Sequence, residues 1–154
     1  MSDTPIPSEP HVLFQLGDTS YSIRSRFVQQ MEMIEHVTPV PNAPPFVEGV
    51  VLSRGRVIPA INLRLRFGFE KVPYDLRTRL IIVHANGRTV GLIVDTAREF
   101  VTIPAEAIQP PPETISGLSG RFLEGIATLG NRLVLILDVN AVLELAEAVP
   151  KVGV

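Results

Sequence analysis

The sequence predicts an all-β protein of two small antiparallel barrels packed as pseudo-repeats, closed by a short C-terminal helix. Three observations carry this. Apolar runs of four to seven residues alternate with turn dipeptides along nearly the whole chain. Helical periodicity is scarce before residue 139. The order of elements in the first half returns, residue by residue, in the second.

Residues 1–10 hold three prolines and no period, and are expected to be a flexible lead. His11 to Leu16 reads as a strand, Gly17-Asp18-Thr19-Ser20 as a turn and Tyr21-Ser22-Ile23 as the returning strand. Phe27 to Val37 fits either a strand or a short helical turn. Prolines at 39, 41, 44 and 45 remove backbone donors and fix φ, so Val37 to Pro45 is a stiff loop. Phe46 to Phe67 reads as strand, Ser53-Arg54-Gly55-Arg56 turn and strand, with Pro59 marking a bulge or an edge. Gly68 to Thr78 links this half to the next. Leu80 to Val83 and Thr89 to Val94 flank an Asn86-Gly87 pair, the composition of a two-residue hairpin turn. Ala97 to Ile108 parallels the Val28 region, Pro110 to Pro112 opens a loop, and Phe122 to Val139 is again strand, turn and strand. The tail, rich in Ala, Leu and Glu, predicts a helix over 140–149.

The repeat is specific. Phe46-Val47-Glu48-Gly49-Val50 matches Phe122-Leu123-Glu124-Gly125-Ile126, and Arg56-Val57-Ile58 matches Arg132-Leu133-Val134, both 76 positions on. Tyr21-Ser22-Ile23 matches Val90-Gly91-Leu92, 69 positions on; the difference falls before Phe122, where Gly117 to Gly120 supply extra chain. These matches place one domain over 11–150, with lobes at about 11–68 and 79–139. Lobes of about 70 residues are marginal alone, so an apolar seam between them is expected.

The composition narrows the function. The chain has 154 residues, 45% hydrophobic and 19% charged, with a net charge of -2. Arg54, Arg56, Arg88 and Asp95 interrupt its longest apolar stretches, so no bilayer-spanning run and no direct membrane insertion are expected. The acidic, proline-bearing start is unlike a secretory signal, which points to the cytoplasm. Without cysteine there is no disulfide, thiolate or Cys-type zinc site. His11, His36 and His84 lack metal-ligand spacing, and no GxGxxG or GxxxxGK[ST] cradle occurs, so no cofactor is expected. Acid pairs at Glu32/Glu35 and Asp95/Glu99 lack an evident catalytic partner. With no Trp and no clustered basic run, nucleic acid is not the expected partner, although a small barrel keeps that alternative open.

Gly49 to Gly68, GVVLSRGRVIPAINLRLRFG, resembles the CheW-like family, which includes the chemotaxis coupling proteins and the regulatory domain of the kinase CheA. Its ordered features are the Pro41 to Pro45 loop, Gly49, the Arg54-Gly55 turn, Pro59 and Asn62-Leu63-Arg64. The likeness runs from about Val12 to Leu145 and includes Gly91 to Asp95 and the turn at Leu129-Gly130-Asn131-Arg132. The resemblance implies two five-stranded, SH3-like barrels without catalytic activity. It implies an adaptor that binds the cytoplasmic tip of a methyl-accepting chemoreceptor in a groove between lobes. Barrel ends would bind the regulatory domain of a CheA-type histidine kinase in receptor arrays on the cytoplasmic side of the membrane. An accessory paralogue in a non-flagellar pathway is the alternative within the family.

Carried over by motif, the expected partner-binding residues are Val28, Gln30, Met31, Gly49, Arg54 and Gly55, joined from the second lobe by Leu80, Ile82 and Gly91. Val28 and Met31 serve equally as core or seam residues, and Gly49 and Gly55 as backbone requirements. Gln30 stands where the family usually has Glu, and Ser53 where it has Asn. The partner expected for Arg54 is therefore absent at position 30, leaving Arg54 loose or paired with Glu32 or Glu48.

Overall fold

The computed structural model describes residues 8–112 and 120–147. Its strands are β1 (Glu9–Leu16), β2 (Thr19–Arg24), β3 (Val28–Met33), β4 (Val47–Ser53), β5 (Arg56–Asn62), β6 (Arg79–Ala85), β7 (Arg88–Val94), β8 (Thr96–Ile103), β9 (Ile108–Gln109), β10 (Leu123–Leu129) and β11 (Arg132–Leu137). Helix α1 (Leu63–Arg66) follows β5, and α2 (Val139–Glu147) follows β11. The predicted lead gives way to strand at Glu9, two residues early, while residues 1–7, Gly117 to Ser119 and helix positions 148 and 149 lie outside the described residues. The ambiguous Phe27 to Val37 stretch resolves into a single 3₁₀ turn, Ser25–Phe27, and β3.

The strands form two sheets, ordered β8-β1-β2-β11-β10-β9 and β3-β6-β7-β5-β4. The first has six strands rather than five, because the two-residue β9 pairs alongside β10. In the second sheet Thr38 takes the place of β9, exchanging two 2.8 Å backbone hydrogen bonds with Val50. Val50 and Ile126, which receive these closing segments, are 76 positions apart, as the repeat requires. Register agrees too: Ala60 lies beside Gly91 as Ile136 lies beside Ser22. Even the caps correspond, since Asn62 Oδ1 accepts from the Leu65 N–H and Asp138 Oδ1 from the Ala141 N–H.

The lobe boundaries expected at 11–68 and 79–139 are not those observed. The first sheet combines hairpin β1–β2 with β8 to β11, and the second combines hairpin β6–β7 with β3, β4 and β5. Each hairpin has crossed into the other repeat's sheet, joined there by the parallel pairs β2–β11 and β5–β7. A repeat reveals that two units exist. Two like hairpins satisfy the same pairing pattern in either sheet, so the pattern leaves their assignment open.

Exchange explains the apolar runs. The hairpins are covered on both faces and read continuously hydrophobic, as doubly buried strands do. Along β6, Leu80 and Ile82 face a core with Val51, Ile58, Ala60 and Ile93 inside the second sheet. Ile81, Val83 and Ala85 face the opposite way, into a larger cluster with Val12, Phe14, Leu16, Tyr21, Ile23 and Leu92 between the sheets. Leu13, Ile103, Ala127, Val134 and Ile136 fill the first sheet. The expected apolar seam is thus the largest core of the molecule.

Two glycines permit closure. The β4 ladder shifts register between Val47 and Gly49, and the β10 ladder between Leu123 and Gly125. A Cβ on Gly49 would stand 2.1 Å from the Thr38 carbonyl oxygen, and one on Gly125 would stand 2.8 Å from Ile108 Cγ2. Pro59 lies opposite Val50, just before β5 meets β7 at Ala60. The expected bulge or edge is not found there, since β5 lies between β7 and β4 and the register shift is at Val47/Gly49. The missing N–H is tolerated because the β5–β7 register begins only at Ala60.

Candidate docking surfaces

Hairpin β4–β5 turns at Arg54 and Gly55, whose φ values of 51° and 78° are those of a two-residue primed turn. Gly55 faces open space, so its role is conformational. Inward positions Val51 and Ile58 fill the second sheet, while the outward phase carries Leu52 and Val57, paired across the ladder and 72% and 69% exposed. Val50 and the exposed Pro59 form the next pair. The result is an apolar two-strand face beside exposed Arg54 and Arg56. Covering a side chain of this size stabilises a complex by about 1.5–3 kcal/mol before association costs. Motif reading missed Leu52 and Val57. The available signal was apolar character in both phases of β4–β5, whose inward phase alone fills the second-sheet core.

Among the described residues no acid holds Arg54. Gln30 Nε2 donates to Ser53 Oγ at 2.6 Å and to Glu32, and Ser53 Oγ donates to Glu32 Oε2 at 2.6 Å. The Gln30 amide thus neighbours a carboxylate that a glutamate at position 30 would repel. Glu48 is engaged elsewhere, accepting from Tyr74 Oη at 2.6 Å, Asn62 Nδ2 at 2.9 Å and Lys71 Nζ at 3.1 Å. Burial pushes the Glu48 carboxyl up, but these donors outweigh it and leave the group below its ordinary pKa. Burial first, then Glu48, push the Tyr74 phenol far up. The network pins the Gly68 to Thr78 segment against β4.

Val28 and Met31 are half-buried on β3 and pack against the inter-lobe core. Gly49 is buried beneath the Thr38 crossing and contributes geometry. Leu80 and Ile82, expected to line a groove, are instead 2% and 1% exposed inside the second sheet. They lie on a central strand between β3 and β7, with one face turned into the barrel. Gly91 is buried beside them, with a Cβ position 2.7 Å from Leu80 Cδ1. These three residues shape the barrel and present no surface.

Sequence reading also missed a polar cleft of about 430 Å³ walled by Gln15, Gly17, Tyr74, Arg77 and the Arg64–Asp95 pair. Arg64 Nε donates to Asp95 Oδ1 at 2.8 Å and Arg64 Nη2 to Asp95 Oδ2 at 2.5 Å, while Gly17 N–H donates to Asp95 at 2.8 Å. The cleft's charges are thereby matched within the protein. Among the described residues, no group of three or more His, Asp or Glu is placed to hold a metal ion. No described helix is long and apolar enough to cross a membrane.

Comparison with known proteins agrees with this architecture. The CheW-like domain family matches residues 10–147. The chain is 34% identical over 136 residues to the Chemotaxis protein CheW of Klebsiella aerogenes, covering 88% of this chain and 82% of that protein. It is 33% identical over 136 residues to the Chemotaxis protein CheW of Bacillus subtilis, covering 88% and 87%. The crystal structure of the scaffolding protein TtCheW from Thermoanaerobacter tengcongensis superposes with a TM-score of 0.80 at 32% identity, covering 86% of this chain and 90% of that one. With exchanged β-hairpins, a core between the sheets and this extent of similarity, the chain belongs to the CheW-like domain family of chemotaxis coupling adaptors.

Proposed function

We propose that this adaptor joins the cytoplasmic tip of a methyl-accepting chemoreceptor to the regulatory domain of a CheA-type histidine kinase. It does so without catalysis, within receptor arrays on the cytoplasmic side of the membrane. The observation that carries the kinase contact is the exposed Leu52–Val57 pair on a rigid hairpin, rimmed by Arg54 and Arg56. An apolar centre with an arginine rim is the composition of a protein–protein contact. The seam edge at Val28 and Met31 is assigned to the receptor, because partly covered apolar side chains there continue the inter-lobe core outward. Receptor state then passes to the kinase through the fixed placement of two faces on one scaffold.

The test measures affinity for a purified kinase regulatory domain and, separately, for a receptor cytoplasmic fragment. The double variant Leu52→Asp with Val57→Asp is expected to lose at least tenfold affinity for the kinase domain and keep its receptor affinity. Met31→Glu is expected to show the reverse. Unchanged kinase affinity in the double variant would remove the β4–β5 assignment, and binding of neither partner by the native chain would remove the coupling reading.

A further inference from the structure

The chain has three methionines and no cysteine, so thioethers are its only sulfur nucleophiles. Met1 lies outside the described residues, which leaves Met31 and Met33, both on β3. Side chains two apart on a strand share a face. Met31 stands opposite Ile81 and Met33 opposite Arg79, and Ile81 belongs to the inter-lobe core. Both methionines therefore lie along the inter-lobe face of β3, while its other phase turns Gln30 and Glu32 to Ser53. Their exposures differ. Met31 is half-buried and packs against the inter-lobe core, whereas Met33 is 52% exposed. Among the described strands β3 is outermost in its sheet and pairs only with β6, so no strand flanks Met33 on the outer side. Arg79, its cross-strand neighbour, directs Nη1 to the Leu76 and Thr78 carbonyls at 2.8 and 2.9 Å.

A peroxide oxidises accessible thioethers ahead of covered ones. A lone pair on the Met33 sulfur attacks hydrogen peroxide, and the S–O bond forms as the O–O bond breaks. Sulfur gives up two electrons, and the second peroxide oxygen leaves as water with both peroxide protons. The product exchanges a flexible apolar side chain for a polar sulfoxide. At position 33 this leaves the core intact, because the side chain stands outside it. It alters instead the β3 edge assigned to the receptor, two residues beyond Met31 on the same face. A partner covering that edge must then bury a sulfoxide oxygen, which opposes docking unless a donor meets it. With no cysteine to compete for the oxidant, the response to peroxide is concentrated on this side chain.

We propose that Met33 is a reversible oxidation site through which peroxide weakens docking of the chemoreceptor. This inference rests on the receptor assignment of the β3 edge above. The experiment treats the native chain, Met33→Leu and Met31→Leu with hydrogen peroxide and locates the added oxygen by peptide mass spectrometry. Affinity is then measured for a receptor cytoplasmic fragment and for a kinase regulatory domain. Leucine conserves the apolar volume, so the untreated variants bind as the native chain does. Met33 takes up oxygen at least about threefold faster than Met31. Treated native and Met31→Leu chains lose about tenfold affinity for the receptor fragment and keep their kinase affinity, while treated Met33→Leu keeps both. The two epimer-specific methionine sulfoxide reductases together restore the lost affinity. Met1 is common to all three chains, so its oxidation cancels in the comparison. Oxidation of Met31 as fast as Met33, or native receptor affinity in the Met33 sulfoxide chain, overturns the proposal and leaves receptor coupling intact. Kinase affinity lost in parallel marks unfolding and overturns it as well. An untreated native chain that fails to bind the fragment overturns both the coupling reading and this inference.

Discussion

Replacing Gly49 by alanine tests how the second sheet closes. The added methyl would stand 2.1 Å from the Thr38 oxygen, 2.7 Å from its carbonyl carbon and 2.9 Å from Pro39 Cα. All three are backbone atoms, so no side-chain rotation relieves the contact, and Gly49 also has φ of 148°, where an L side chain is strained. Thr38 must withdraw, breaking its two 2.8 Å bonds with Val50. Each bond contributes about 1 kcal/mol net, and the backbone strain about 1–3 kcal/mol. Gly49→Ala should therefore destabilise the protein by about 3–5 kcal/mol. Gly55→Ala, also at positive φ but facing open space, should cost only about 1 kcal/mol. Urea unfolding of both variants measures the difference, and hydrogen exchange at the Thr38 and Val50 amides reports whether closure is lost first. A Gly49→Ala protein within about 1 kcal/mol of native, with both amides still protected, would refute the close-crossing explanation.

Two further outcomes follow from buried side chains. Leu80→Ala and Ile82→Ala should each destabilise by about 2–5 kcal/mol through a barrel cavity, while affinity for receptor and kinase fragments well below the melting temperature stays within about twofold of native. Lost affinity at unchanged stability would return these residues to an interface. His11 is fully buried, with Nδ1 3.0 Å from Ser22 Oγ, and burial first and then Arg24 hold its pKa below 6.5. Because the unfolded chain takes up this proton first, the His11 contribution is complete above about pH 6.5 and falls as pH drops toward the lower folded value. His11→Asn should flatten stability against pH in that window, and an unchanged profile by denaturant titration would exclude His11 as the source.

Much of the fold was legible because periodicity and turn chemistry are local. Asn86-Gly87 and Arg54-Gly55 turn their hairpins where expected, and Phe46 and Phe122 hold matching positions before β4 and β10. Partner exchange was not legible, since Tyr21-Ser22-Ile23 satisfies the pattern equally beside either repeat's closing strand. The site was read less well for a related reason. Leu80, Ile82, Leu52 and Val57 are chemically alike, and only the sheet's curvature puts the first pair inside and the second outside. Arg54 carried its motif faithfully, yet its lack of an acid depends on Glu32 and Glu48 being committed to Ser53 and to Asn62 with Tyr74.

Crossing the hairpins removes the hinge that two barrels in series would have possessed. A displacement imposed on β3 reaches β6 directly and β7 through it, and their chain neighbours β5 and β8 belong to different sheets, so neither lobe can tilt without dragging strands of its companion. The protein therefore behaves as a stiff strut. In the proposed receptor–kinase assembly, a push received at one end would be delivered at the other with its direction preserved, and mechanical softness would reside in the joints between proteins.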